Sequence, residues 1–198
     1  MSEPTPHTAF QNTTRIASGP LATVALVVRT ALAADPAAAI LVFDDATGKV
    51  VDLDLRGDEA EITARYALPD EAAAATDDAP RGRGRPKLGV VAREVTLLPR
   101  HWDWLALQPG GASQALRRLV DEARKTDGGR SRARAAQAAA YAFIATMAGD
   151  REGFEEASRA LFAGDDARFA EYCRSWPADI QTYAQALITG SAFSAPAP

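Results

Sequence analysis

The spacing of apolar residues changes along this 198-residue chain, and each change predicts a different element. Near the start, Thr8-Ala9-Phe10 and Arg15-Ile16-Ala17 flank a polar Gln11-Asn12 turn and predict two short strands. Gly19-Pro20 then opens a helix with Leu21, Val24, Ala25 and Val28 at helical spacing, and Asp35-Pro36 ends it. Ile40 to Phe43 reads as a buried strand, followed by DDATGK, a turn by composition. Val51, Leu53 and Leu55 alternate with Asp52 and Asp54, the mark of a strand with one wet face. Residues 58–67 form a short helix. The N-terminal unit, residues 1–68, is therefore expected to run β-β-α-β-β-α.

Residues 69–89 break this order. Three prolines, an alanine tract, an acidic pair and a basic run leave nothing to bury, and a disordered linker is expected. Periodicity returns over residues 90–127 as a strand (Val91 to Leu98), a helix with Trp102, Leu105 and Ala106 inward, a Pro-Gly-Gly turn and a second helix. Ser113 suits that helix as N-cap, with Leu116, Leu119, Val120 and Ala123 on one face and Arg117, Arg118 and Arg124 on the other. Residues 130–190 predict a helical domain. Ala136, Ala139, Ala140, Phe143, Ile144 and Met147 form one stripe, and three shorter helices follow at about 153–163, 166–175 and 178–188. Residues 191–198 read as a disordered tail. The expected fold class is α+β: a small N-terminal unit, a basic linker, a strand-helix-helix segment and a C-terminal helical bundle.

Composition sharpens this only where it is uneven. Of 198 residues 44 are alanine, and 19 Arg stand against 3 Lys, a bias that genome composition alone produces; the Arg count is therefore weak evidence. Charge placement says more. Residues 81–134 carry 13 Arg or Lys and 5 Asp or Glu, a net of +8, whereas the rest of the chain carries a net of −12. A basic centre between acidic flanks suits a polyanion-binding segment, or a centre neutralised by its own flanks. The single cysteine, Cys173, leaves no internal disulfide framework and no Cys-based zinc site. MSEPTPHTAF lacks the basic-then-apolar order of a signal peptide, and the longest apolar run, Leu21 to Val28, is far short of the roughly 20 residues of a spanning helix. A cytoplasmic protein without membrane contact is expected.

The candidate chemistry lies in that basic centre. In RGRGRPK, Arg83-Gly84-Arg85-Pro86 is the sequence of an AT-hook. Glycine lets a backbone lie deep in a narrow groove, proline sets an extended path, and two arginines run along the floor of A·T-rich DNA. Arg81 and Lys87 would add phosphate contacts. The following strand-helix-helix resembles the ribbon-helix-helix fold, in which two chains pair their strands in the major groove, and that resemblance implies a homodimer. Arg93, Arg117, Arg118 and Arg124 are expected, from their charge, to add backbone contacts. The resemblance also places a phosphate at Ala112 to Gln114. Its register, however, turns Leu98, Thr96 and Glu94 toward the core and Leu97, Val95 and Arg93 toward the groove. A mostly apolar set reads base edges poorly, so pairing of this strand within one chain stays open.

Other candidates are weaker. Asp44, Asp45, Asp52 and Asp54 surround a hairpin and offer oxygens for Mg²⁺, although such a sequence is more often turn chemistry. His101 has no Cys or Asp partner at useful spacing, and Cys173 sits in an apolar stripe with Tyr172 and Trp176. Without a catalytic constellation, the expectation is a non-enzymatic protein using no cofactor or metal. DNA binding, regulatory or nucleoid-associated, is the leading function. The alternative is a protein-interaction module whose basic arm docks on an acidic partner.

Long ordered strings carry one further resemblance: RIASGPLATVALVV, LVFDDATGKVVDLDLRG, GRGRPKLGVVAREVTLLPRHWDWLALQPGGASQALRRLVDEARK and GFEEASRALFAGD, with WPADI after them. Over roughly residues 8–188 the chain resembles a bacterial family known as domain of unknown function number 2239. The resemblance implies one shared bacterial architecture, with no activity, substrate or site residue attached.

Overall fold

A computed structural model describes residues 6–67 and 94–190. The first hairpin forms where alternation predicts it: β1 (His7–Gln11) and β2 (Thr14–Gly19) pair antiparallel. Asn12 turns the chain at φ 55°, a left-handed conformation that asparagine tolerates. Helix α1 (Leu21–Ala34) starts directly after Pro20 and ends at Asp35. β3 (Ile40–Asp44) then pairs antiparallel with the free edge of β1, giving the order β2-β1-β3. Thr8, Ala9 and Phe10 of the central strand are all buried, so both sheet faces are covered. Ala9, Ala17 and Val42 pack with Val24 and Val28 of α1.

The opposite face carries Phe10 and Phe43. These pack with Ala140, Phe143 and Ile144 of α5 (Arg130–Met147) and with Ile180, Tyr183, Ala184 and Leu187 of α8 (Ala178–Thr189). Helices α6 (Phe154–Ala163) and α7 (Asp166–Tyr172) complete this core through Ala157, Leu161 and Phe169. In place of separate domains at 1–68 and 130–190, residues 6–67 and 132–190 form one compact unit, and 94–131 belong to a second. The cause is mutual: each half exposes an apolar face that only the other covers.

Two predicted strands take other forms. After β3 a turn closes through Gly48, and only Phe43 and Val50 form a bridge. The Val51 amide reaches the Val42 carbonyl, and then the chain leaves the sheet. Leu53 and Leu55 pack against the α1 core without ladder bonds, and the Asp54 amide donates to the Tyr66 hydroxyl instead. The alternation reflects one-sided burial, not strand pairing. Helix α2 (Glu59–Tyr66) follows, held by a capping box in which Asp58 and Glu61 satisfy each other's backbone amides.

Of the predicted Val91–Leu98 strand, Val91 to Arg93 lie outside the described residues, as do the linker and the tail. Among the described residues, Glu94 to Leu98 pair with no strand. Pro99 opens α3 (Pro99–Ala106), and α4 (Gly111–Asp127) begins at a left-handed Gly110 with φ 81°, so Ser113 falls inside the helix and is not its cap. No described helix is long and apolar enough to cross a membrane.

A shared core makes a testable claim about cooperativity. Phe143→Ala should cost about 3–5 kcal/mol. Native-state hydrogen exchange should show β1 and β3 amides losing the same protection as those of α8. Sheet amides left unchanged would mean that the two halves fold independently.

Candidate nucleic-acid interface

The basic residues singled out by sequence divide into two sets. Arg81, Arg83, Arg85, Pro86, Lys87 and Arg93 lie outside the described residues. Arg117, Arg118 and Arg124 stand exposed on α4, joined by Lys125. Acids interrupt them: Asp121 and Glu122 lie between the two basic pairs. Arg118 reaches the Gln108 Oε1 at 3.4 Å, a weak contact, and the four basic side chains make no ion pair among the described residues. They are free to meet solvent or a polyanion.

Around this helix the apolar positions are not where sequence reasoning put them. Trp102 and Ala106, expected inward, are exposed, and only Leu105 of α3 and Ala115 of α4 are buried. Residues Leu116, Leu119, Val120 and Ala123 share a face as expected, yet Leu119, Val120 and Ala123 remain exposed. At the far end, Arg130 Nε and Nη2 donate to the Asp127 and Thr126 carbonyls, capping the last turn of α4. The Asp127 carboxylate in turn accepts from the Ser131 amide and hydroxyl.

Sequence reasoning counted Arg130, Arg132 and Arg134 in the basic centre but not among contact residues. They occupy the beginning of α5, where cations oppose the helix dipole by about 0.3–1 kcal/mol each. Acidic residues would stabilise that end.

The aspartate hairpin is accounted for by structure. The Asp44 Oδ1 accepts from the Ala46 amide, the Thr47 amide and the Thr47 hydroxyl, so this carboxylate builds the turn. Asp54 is held by Arg56 at 2.7 Å, with Arg65 beside it, which keeps its carboxyl well below the usual carboxylate range. Among the described residues no three His, Cys, Asp or Glu side chains come together as a metal-ligating group. His101 is exposed on α3. Cys173 is buried in the core, and burial pushes its thiol up to about 12.

Asp45 differs from its neighbours. It is half-buried against the core, where Tyr183 donates its hydroxyl to Oδ1 at 2.6 Å and Thr8 donates to Oδ2 at 3.2 Å. Thr8 also meets the Ser18 hydroxyl at 2.8 Å, and the His7 Nε2 stands 3.8 Å from Asp44. Burial raises the Asp45 carboxyl despite these donors and His7. None of these links was visible in the sequence, because Thr8, Asp45 and Tyr183 are far apart along it.

A three-stranded antiparallel sheet packed between helices defines an α+β protein. The chain belongs to the DUF2239 family, whose model, described as an uncharacterized protein conserved in bacteria, matches residues 6–188. No curated protein and no solved structure matches it.

The raised Asp45 carboxyl has a pH consequence. The folded state holds this proton more tightly than the unfolded chain. Asp45 therefore favours the fold at acid pH, and that contribution is lost as pH rises through its raised value. Relative to wild type, Asp45→Asn should gain stability as pH rises from the ordinary carboxylate range through the raised Asp45 value. Urea unfolding at several pH values measures this, and a pH-independent difference would contradict it.

Proposed function

We propose that this chain binds DNA through the basic stretch from Arg81 to Arg134. One observation carries the reading: a net charge of +8 over residues 81–134 in a chain otherwise at −12. Polyanion binding draws its affinity from such a concentration of charge, released counterions being the main driving term. The Arg83-Gly84-Arg85-Pro86 core supplies minor-groove contacts, Arg81 and Lys87 the adjacent phosphates, and Arg93, Arg117, Arg118 and Arg124 further backbone contacts. The exposure of the last three, with no acid holding them, supports that assignment. Arg130, Arg132 and Arg134 add to the net charge of the same stretch of chain. A regulatory or nucleoid-associated role fits a reader of A·T-rich grooves.

Fluorescence anisotropy with an A·T-rich and a G·C-rich duplex tests this. Neutralising about six phosphates predicts a log-log salt slope of about −5. The A·T-rich duplex should bind more tightly, and Arg83→Ala with Arg85→Ala should abolish that preference. Absence of binding to either duplex at low salt would favour the alternative, an interaction module whose basic arm docks on an acidic protein.

A further inference from the structure

One face of α4 is polar from Gln114 to Lys125, and it is the face turned away from Leu116, Leu119, Val120 and Ala123. Gln114, Arg117, Arg118, Asp121, Glu122 and Lys125 line a continuous concave surface there, and all six are exposed. At about 100° per residue, Gln114, Arg118, Asp121 and Lys125 follow at i, i+4, i+7 and i+11 and make a single stripe. Arg117 and Arg124 lie along one flank of it, and Glu122 lies on the other. The stripe is about 16 Å long, the rise of about five base-pair steps.

We infer that this stripe lies in the major groove of duplex DNA and reads base edges. The inference rests on the DNA binding proposed above and adds sequence specificity to it. The major groove admits a helix, and the residue types on the stripe have partners there. Arg118 suits the O6 and N7 acceptors of guanine, and Gln114 the N6 donor and N7 acceptor of adenine. Asp121 suits the N4 donor of cytosine, and Lys125 a guanine as Arg118 does. Arg117 and Arg124, off the stripe, meet phosphates along one groove wall. Arg118, counted above among backbone contacts, takes a base in this arrangement because it stands mid-stripe.

The acids decide between base reading and two plainer uses of such a face. A surface for phosphates alone is weakened by a carboxylate at its centre, and Asp121 stands there. A solvated face held by its own ion pairs would join Arg117 to Asp121, Arg118 to Glu122 or Asp121 to Lys125, each at four-residue spacing. None of these pairs forms among the described residues, and Arg118 has its 3.4 Å contact with Gln108 instead. Arg117, Arg118, Arg124 and Lys125 outnumber Asp121 and Glu122, so the face stays positive and complementary to DNA.

Selection by the full chain from a pool of duplexes with a randomised centre provides the test. A parallel selection uses a chain carrying Arg83→Ala with Arg85→Ala, so that a preference supplied by the arm is not mistaken for one supplied by α4. Both chains should enrich one sequence containing guanine, adenine and cytosine. Arg118→Ala should relax discrimination at the guanine, and Gln114→Ala at the adenine, by about tenfold each. Asp121→Ala has the sharpest sign. It should lose the cytosine preference yet bind unselected duplexes more tightly, because a negative charge has gone. Arg117→Ala should weaken every duplex alike and make the salt slope shallower by about one. The altered α4 residues are all exposed, so circular dichroism should not change. Salt-sensitive binding without sequence preference overturns this inference and leaves the DNA reading standing. So does a preference that survives Arg118→Ala, Gln114→Ala and Asp121→Ala. A wild type that binds no duplex overturns both, in favour of an acidic protein partner.

Discussion

Four aromatic rings hold this fold together: Phe10 from β1, Phe43 from β3, Phe143 from α5 and Tyr183 from α8. Their centroids lie between 4.5 and 6.4 Å apart, and most pairs meet edge to face or tilted, the arrangements that ring quadrupoles favour. Two rings come from the first third of the sequence and two from the last. A three-stranded sheet covered on one side by α1 alone would leave Phe10 and Phe43 in water. The C-terminal helices without the sheet would expose Phe143 and Tyr183. Neither half has a closed core, so their joining is what makes each element worth forming.

Placing a tyrosine in that cluster creates a second requirement. Tyr183 is fully buried, and a buried hydroxyl needs a partner. Asp45 supplies it from the turn after β3, at the cost of partly desolvating a carboxylate. The same turn is pressed against α5: a Cβ on Gly48 would come within 1.9 Å of the Ala139 carbonyl oxygen, and its φ of 64° already favours glycine. The DDATGK turn is thus fixed at both ends, by a hydrogen bond into the core and by a backbone contact that no side chain permits. Its aspartates serve geometry before any ligand.

Local pattern carried much of this into the sequence. Alternation at Thr8–Phe10, helical spacing from Leu21 to Val28 and the stripe from Ala136 to Met147 all match elements in the structure. Legibility failed where the deciding partner is distant in sequence. Nothing near Phe143 says that its neighbours are Phe10 and Phe43, so the two halves read as two domains. Val51 to Leu55 alternate because α1 covers one side, a cause that alternation alone cannot distinguish from strand pairing. At the candidate interface the spacing of Leu116, Leu119, Val120 and Ala123 was readable. Their exposure was not, because the same stripe serves equally to face a core or to face another chain.

The connectivity gives these two outcomes a common cause. Residues 94–131 belong to a unit that interrupts the fold made by residues 6–67 and 132–190. An inserted unit contributes no side chain to the aromatic core, so its composition is constrained less by folding than by what its surface meets. That freedom accounts for the apolar residues left wet on α3 and α4, which a core-forming segment could not carry. It also separates charge. Outside residues 81–134 the chain carries a net charge of −12 and repels a polyanion, so the cationic charge is concentrated in and just after the insertion. On α4 the two kinds of surface are separate: Leu116, Leu119, Val120 and Ala123 share one face, and Arg117, Arg118, Asp121 and Glu122 lie together on the opposite one.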